Sequence, residues 1–252
     1  IALPQENLNS DEIRGFEIAL SYNKQIGDLN FSVSPNMSYK QGRNLHVESS
    51  PYNSSWNNYL NNRNNRNKSI LFGYEYIGQF QSMDEIARSP IQDNNANKSL
   101  LPGDLKYADL NNDGVINGGD SKVIGRGLEP DVFYGLDLYA SYKGFDFSVL
   151  FQGATNYSTY FGNEIQRPFF NGGNTYSYFT DRWHRADIYD PQSEWVAGKY
   201  PSTRLNGSDN NSMLSSFAVT DAYYIRVKNV DLGYSMNAAF LEKVNIKGLR
   251  FY

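Results

Sequence analysis

YGLDLYASYKGFDFSVLF, residues 134 to 151, is the stretch whose reading decides the fold. Two runs of apolar/polar alternation flank Lys143-Gly144, and a two-residue connection with glycine, where positive φ is useful, signals a β-hairpin. Pairing Tyr142 with Phe145 sets Ala140 opposite Phe147, Leu138 opposite Val149 and Leu136 opposite Phe151. Residues two apart in a strand share a face, so one face of this hairpin is apolar throughout. The other carries Asp137, Tyr139, Ser141, Asp146, Ser148 and Gln152 and is mostly polar.

The same rule holds upstream. FEIALSY (16 to 22) puts Phe16, Ile18, Leu20 and Tyr22 on one face, and LNFSVSPNMSY (29 to 39) does so with Leu29, Phe31, Val33, Pro35, Met37 and Tyr39. With NKQIGD as the turn, Tyr22 is expected opposite Leu29, Leu20 opposite Phe31 and Ile18 opposite Val33. A third pair joins 222 to 234 to 246 to 252 through SMNAAFLEKVN. Its parity slips, since Ile225 and Val227 are odd while Val230, Leu232 and Tyr234 are even; a β-bulge near Lys228-Asn229 restores a single apolar face.

Connections within hairpins are short, whereas those between hairpins run from about 41 to 131 and from 154 to 220. SSWNNYLNNRNNRNKS (54 to 69) is Asn-rich, and 153 to 175 and 201 to 215 are full of Gly, Asn, Ser and Thr, so these read as surface loops. The 20 Tyr and 15 Phe favour strands over helices. A net charge of -4 without a Lys/Arg run argues against nucleic-acid binding, and zero Cys removes disulfides and thiolate metal sites. No apolar run reaches the roughly 18 residues of a membrane helix. A transmembrane β-barrel needs none: it shows alternating segments of about 10 residues, with short turns on one side and long loops on the other. The fold class read from these features is all-β, part of a large antiparallel transmembrane β-barrel with long extracellular loops.

At this point GDLKYADLNNDGVINGGDSKVIGRGLEPDVFYGLDLYASYKGFDFSVLFQG (103 to 153), FTDRW (179 to 183), YYIRVKNVDLGYSM (223 to 236) and the opening RGFEIALSYNKQIGDLNFSVSPNMSY resemble the C-terminal barrel half of SusC/RagA-type TonB-dependent outer-membrane transporters. Residues 42 to 72 and 184 to 220 match only loosely. The resemblance implies uptake of oligomeric nutrients, glycans or peptides, across the outer membrane of Bacteroidota. It further implies energisation by TonB, contact with outer-membrane lipid, and a SusD-like surface lipoprotein as partner. The whole chain, 1 to 252, is then expected to be a C-terminal segment of such a barrel without its plug, with 103 to 131 as an extracellular loop. Six clear strands, eight if ILFGYEYIGQF (70 to 80) contributes a pair, fall short of the about 22 of a plugged transporter. The remaining barrel strands are expected from the same protein. Phe16, Ile18, Leu20, Phe31, Val33, Leu136, Leu138, Phe147, Val149 and Phe151 are expected to face lipid, and Glu17, Asp137, Ser141, Asp146 and Ser148 the lumen.

Chemical signals are few. DLNNDGVINGGD (109 to 120) has Asp109, Asn111, Asp113, Gly114 and Asp120 where an EF-hand-type loop needs ligands 1, 3, 5 and 12 and its glycine, with the Val115 carbonyl at position 7 and Asn117 at position 9. Three readings stay open: a φ-positive turn, a sensor or dockerin-like module, and a structural Ca2+ clip. Gly118, Gly119, Gly125, Gly127 and Pro130 argue against the helix that the second requires. His46 and His184 lie in predicted loops, and no G-x-S-x-G, H-E-x-x-H or phosphate-binding glycine loop occurs, so no enzyme is expected and no catalytic residue is assigned. Trp183, Trp195, Tyr176, Tyr178 and Phe179 are the candidates for contact with substrate or partner, although aromatics also rim barrels and pin long loops. The competing class is a calcium-stabilised surface β-domain that binds carbohydrate.

Overall fold

A computed structural model of the chain describes residues 7–162, 165–204, 208–236, 246 and 248–252. The chain divides into two compact units. One consists of 11–43, 129–157 and 222–252; the other of 1–10, 44–128 and 158–221.

The first unit is built on a single antiparallel sheet. Its strands are β1 (Ser10–Ala19), β2 (Tyr22–Ile26), β3 (Leu29–His46), β8 (Val132–Tyr142), β9 (Phe145–Tyr160), β12 (Val219–Ser235) and β13 (Arg250–Phe251). Their order is β1-β3-β8-β9-β12-β13, with β2 also on β3. The hairpin of β8 and β9 has the expected register, with Tyr142 opposite Phe145, Leu138 opposite Val149 and Leu136 opposite Phe151. The first hairpin differs. Tyr22 faces Val33, Lys24 faces Phe31 and Ile26 faces Leu29, so the turn is Gly27-Asp28 and the strand runs on through NKQI. Lys24 on the apolar face hid that continuation. The register moves by an even number of residues, so every side chain keeps its face.

The break between β1 and β2 has a local cause. Leu20 N–H donates to Pro35 O at 3.0 Å, but Pro35 has no N–H to return, so the ladder loses a bond at Leu20-Ser21. On the polar face Asp146 meets Arg250 at 2.5 Å and Gln152 accepts from Arg226 at 3.0 Å. Arg250 also lies 3.9 Å from Asp231. Arg226 and Asp231 thus reach the same face although five residues apart, which unbroken alternation forbids. The parity therefore changes somewhere between them, in the stretch that holds Lys228-Asn229, where the sequence leads to the expectation of a β-bulge. Within 235 to 245 of the third connection, residues 237–245 lie outside the described ones.

Of the ten residues assigned to the apolar face, Phe16, Ile18, Leu20 and Phe147 stay exposed. Phe31, Val33, Leu136, Leu138 and Phe151 are half-buried, and Val149 is buried. A side chain in the middle of a sheet is screened by its cross-strand neighbours even without a second layer. Ile225, Val227, Val230 and Leu232 on β12 are exposed as well. Among the described residues, both buried hydrophobic clusters belong to the other unit.

That second unit corrects the reading of long, structureless loops. Strands β3 and β9 extend to His46 and Tyr160, so His46 closes a strand. The Asn-rich stretch forms α1 (Ser55–Asn61), capped by the Ser54 hydroxyl on Asn57 N–H. Residues 70 to 80 are not barrel strands: β4 (Ile70–Tyr74) pairs with β7 (Ser121–Arg126), and β5 (Tyr76–Gln79) with β6 (Leu105–Tyr107), in two small separate sheets. Helix α2 (Met83–Arg88) starts at Ser82, with Asp84 and Glu85 in its first turn and Arg88 in its last, all favourable to the helix dipole. Phe80, Ile86 and Leu100 form one cluster; Leu105, Tyr107 and Ile116 form the other, with Tyr74, Tyr76, Met213 and Phe217 against it. His184 lies in β10 (His184–Arg185), paired with β11 (Trp195–Val196), rather than in a loop.

Glycine 153 in the middle of β9 has a specific seat. The Tyr134 ring lies across it, so an added Cβ would sit 2.3 Å from ring atoms, and the Tyr134 hydroxyl donates to Tyr224 O at 3.0 Å. The ring bridges β8 and β12 over the glycine. We predict that Gly153→Ala destabilises the sheet by about 1–3 kcal/mol, because Tyr134 must leave its rotamer. Tyr134→Phe should lose only the hydrogen bond, roughly 0.5–1.5 kcal/mol. Urea unfolding of the purified full-length protein in detergent checks both, and equal effects would refute the steric account.

Candidate functional site

The second unit is held together by amides as much as by its hydrophobic clusters. Gln92, Asn97 and Asn210 are buried, yet bonded. Gln92 Nε2 donates to Leu105 O at 2.6 Å and to Asn210 Oδ1 at 2.7 Å, while Asn210 Nδ2 donates to Leu105 O at 2.9 Å. The Tyr107 hydroxyl donates to Asn210 O at 2.7 Å, and burial pushes its pKa upward. Asn97 Nδ2 reaches the carbonyls of Ile86, Ser89 and Pro90. Asp104, wholly buried, accepts from Asn211 Nδ2 at 2.7 Å and pairs with Arg204. The bonds of Gln92, Asp104, Leu105 and Tyr107 tie their segment to Arg204, Asn210 and Asn211, about a hundred residues away in sequence. A side-chain amide both donates and accepts, so it can close backbone groups that no regular ladder reaches.

On this frame sits an aromatic cavity of about 370 Å³. Tyr178 and Phe179 come from the turn Ser177–Thr180, Tyr200 from the segment after β11, and Phe217 from the approach to β12. Ring centroids are 5.0 Å apart for Tyr178 and Tyr200, 5.3 Å for Phe179 and Tyr200, and 6.4 Å, edge-on, for Tyr200 and Phe217. Tyr176 stacks on Tyr178 from outside at 5.5 Å. Phe161 and Ile165 complete the apolar wall, with Lys199 at the side. Burial raises the Tyr178 phenol pKa, reinforced by Tyr176 and Tyr200, so Tyr178 stays neutral at physiological pH.

The candidate aromatics therefore divide. Tyr178 lines the cavity. Trp183 is buried, its Nε1 donating to Gln79 Oε1 at 3.1 Å and its indole packed on Gly103, where a Cβ would come within 2.3 Å. Trp195 is half-buried on β11 under the Arg185 guanidinium, 4.3 Å from the ring centroid. Tyr200, Phe217, Phe161, Ile165 and Lys199 were not among the candidates. The density of aromatics from 157 to 200 hinted at Phe161 and Tyr200 alone, because the meeting of all five depends on long-range folding.

The loop 109–120 is closely bonded within itself. Asp109 accepts from Asp113 N–H at 3.3 Å and Gly114 N–H at 2.9 Å, and Asp113 accepts from Val115 N–H at 2.8 Å. Asn111 Oδ1 takes Asp113 N–H at 2.9 Å, while Asn111 Nδ2 donates to Asp113 Oδ2 at 3.0 Å. Asp120 is fully buried: Oδ1 accepts from Leu110 N–H at 2.9 Å, and Oδ2 from Asn117 N–H at 2.9 Å. Asn117 Oδ1 in turn accepts from Gly119 N–H at 2.7 Å, a reciprocal cap around the 3-10 turn Gly118–Asp120. Asn117 Nδ2 donates to the Val115 carbonyl at 3.2 Å. Gly114 has φ +80°. After the turn the chain continues as β7, so the helix of a sensor or dockerin is absent. Among the described residues, no three His, Cys, Asp or Glu side chains form a group able to hold a metal.

Comparison with known proteins gives a consistent kinship. No protein-family model matches the chain. TonB-dependent receptor P39 of Formosa agariphila is 29% identical over 299 residues, covering 97% of this chain and 26% of the receptor. TonB-dependent receptor P26 of the same organism is 29% identical over 185 residues, covering 72% of the chain and 17% of that receptor. A solved structure of the RagAB peptide importer in its closed-closed state matches 97% of the chain and 25% of its own with TM-score 0.60 at 16% identity. The chain spans about a quarter or less of the length of these proteins. The SusC/RagA-type resemblance read from the sequence stands: the curated relatives are named TonB-dependent receptors, and the antiparallel sheet is similar in fold to a quarter of the RagAB importer chain.

Acidic pH tests the frame. Burial raises the Glu85 pKa, but Gln81 N–H and the Lys106 ammonium, 2.5 Å away, outweigh it and leave the pKa below the usual carboxylate value. Burial also raises Asp93, but the Ser99 N–H and hydroxyl and the N–H groups of Asn95 and Asn97 bring it lower on balance. Depressed folded-state pKa values give stability that is present above the unfolded value of about 4 and is lost as pH falls through the folded ones. Amides of 81–99 are therefore expected to lose protection, measured against their intrinsic exchange rates, below about pH 4, and Glu85→Gln should flatten part of that pH dependence. Hydrogen exchange followed by mass spectrometry decides.

Proposed function

We propose that this chain is part of the barrel of a TonB-energised importer in the outer membrane of a Gram-negative bacterium of the Bacteroidota, taking up oligomeric nutrients beneath a SusD-like surface lipoprotein. The observation that carries the reading is the sheet whose apolar face leaves Phe16, Ile18, Leu20 and Phe147 exposed while its other face is polar and ion-paired. Water disfavours such a face, whereas bilayer hydrocarbon accepts it and the antiparallel ladder satisfies the backbone within the membrane. A carbohydrate-binding surface domain would need the same side chains inside a core, and among the described residues both hydrophobic clusters are made of others. The names TonB-dependent receptor and RagAB peptide importer point the same way.

In the producing bacterium, Leu138→Arg is expected to cost about 2–4 kcal/mol if the residue lies near the bilayer midplane and to deplete the folded protein from outer membranes. Ser148→Arg, on the opposite face, should not. Uptake of the imported nutrient should vanish on deletion of TonB. Normal membrane levels of the Leu138→Arg protein would sink the lipid-facing assignment, and uptake unchanged without TonB would sink the transport one.

For loop 109–120 we propose a structural Ca2+ held by Asp109, Asn111, Asp113, Asp120 and the Val115 carbonyl, with Asn117 through water. What supports it is the spacing, the positive φ of Gly114, and the hydrogen bonds by which Asp109 and Asn111 both meet Asp113. Binding requires Asp109, Asp113 and Asp120, which form no metal-holding group as they stand, to draw together, and the Asn111 amide to present oxygen where it now donates. Calcium addition is expected to slow amide exchange across 109–120, and Asp109→Ala to abolish that effect. Identical exchange with calcium and with chelator would leave a self-capped turn.

A further inference from the structure

We propose that the aromatic cavity takes an apolar side chain of a peptide whose neighbouring carboxylate meets Lys199. This rests on the import reading and narrows its substrate class from oligomers in general to peptides. The wall is apolar: Phe161, Ile165, Tyr178, Tyr200 and Phe217 surround about 370 Å³, within the roughly 300–1,000 Å³ typical of small-ligand sites.

The polar groups of the wall decide between peptide and glycan, and most of them are already used. Gln166 accepts from the Tyr160 hydroxyl at 3.1 Å and donates to Asn211 O at 2.7 Å. Asn211 accepts from Leu105 N–H at 2.9 Å and donates to Asp104 at 2.7 Å. The Tyr178 hydroxyl donates to Ile165 O. A sugar ring entering here would strip water from several hydroxyls and find few partners for them, a loss that stacking on one aromatic face does not offset. A leucine or phenylalanine side chain loses nothing of that kind and gains from the apolar contact.

Charge supplies the second half. The Lys199 ammonium lies over the Tyr200 ring, 5.5 Å from its centroid, and among the described residues it has no carboxylate within ion-pair distance. A ligand carboxylate placed beside the apolar side chain would complete it. Free acidic residues or a peptide C-terminus share this chemistry.

The test titrates acetyl-Leu-Phe, its C-terminal amide, acetyl-Gly-Gly and maltohexaose into the purified full-length protein in detergent, followed by calorimetry. Acetyl-Leu-Phe should bind, the amide less tightly and acetyl-Gly-Gly at least tenfold less tightly. Ile165→Trp, which fills the cavity from its exposed side, should weaken acetyl-Leu-Phe at least tenfold; Tyr178→Ala serves the same purpose if that variant does not fold. Lys199→Gln should bring the acid down to the amide's affinity and leave the amide unchanged. No binding of acetyl-Leu-Phe, equal binding of acetyl-Gly-Gly, or maltohexaose binding that Ile165→Trp abolishes would each overturn the proposal. TonB-dependent uptake is scored separately, so import can stand while the peptide pocket falls, and the reverse.

Discussion

Every residue of an extended strand must point to one of two faces, and in this sheet the two faces are chemically opposed. Four neighbouring strands line up Tyr22, Val33, Leu138 and Val149 in one row. On the reverse, Asn23, Ser32, Tyr139 and Ser148 form the matching row. A slip of one residue anywhere would invert a whole strand, so the structure tolerates even shifts and repairs odd ones. The first hairpin shows the even shift. Strand β12 shows the repair, where Arg226 and Asp231 share a face only because the parity changes between them.

The same constraint explains the irregular places. Proline 35 removes one ladder donor, and the chain accommodates it by a break that interrupts pairing at Leu20-Ser21 without moving either face. Glycines in the strands act as seats for long side chains from the next strand: Tyr134 crosses Gly153 to reach Tyr224 O, and Arg250 crosses Gly233 to reach Asp146. Small residues let side-chain hydrogen bonds run across strands where the backbone ladder alone would hold them. Each such crossing joins three strands instead of two.

In the other unit the organising interaction is the buried amide and carboxylate acting on backbone groups. Gln92, Asn97, Asn210 and Asp104 replace ladders that short strands cannot supply. Loop 109–120 follows the same chemistry on a small scale. The carboxylate oxygens that an EF-hand-type loop turns toward an ion are also good acceptors for the N–H groups of a tight turn. A spacing of Asp, Asn and Gly therefore reads as calcium ligation and as self-capping at once.

Period two in 16–39 and 134–151 determined, by itself, the strands, their faces and the register of the β8-β9 hairpin, because alternation and a two-residue turn are local properties of the chain. The parity slip at 227–230 was legible for the same reason. The first turn was misplaced by Lys24, a charge on an otherwise apolar face, and the pairing of 70–80 with 105–107 and 121–126 left no periodic trace in such short strands. Trp183, Trp195 and Tyr178 looked alike in the sequence. Only tertiary structure separated them, since burial on Gly103, cover by Arg185 and a place in the cavity wall are each decided by residues up to about eighty positions away. The cavity itself joins 161, 165–166, 178–179, 199–201, 211 and 217–218, and no local pattern encodes a meeting of residues so far apart.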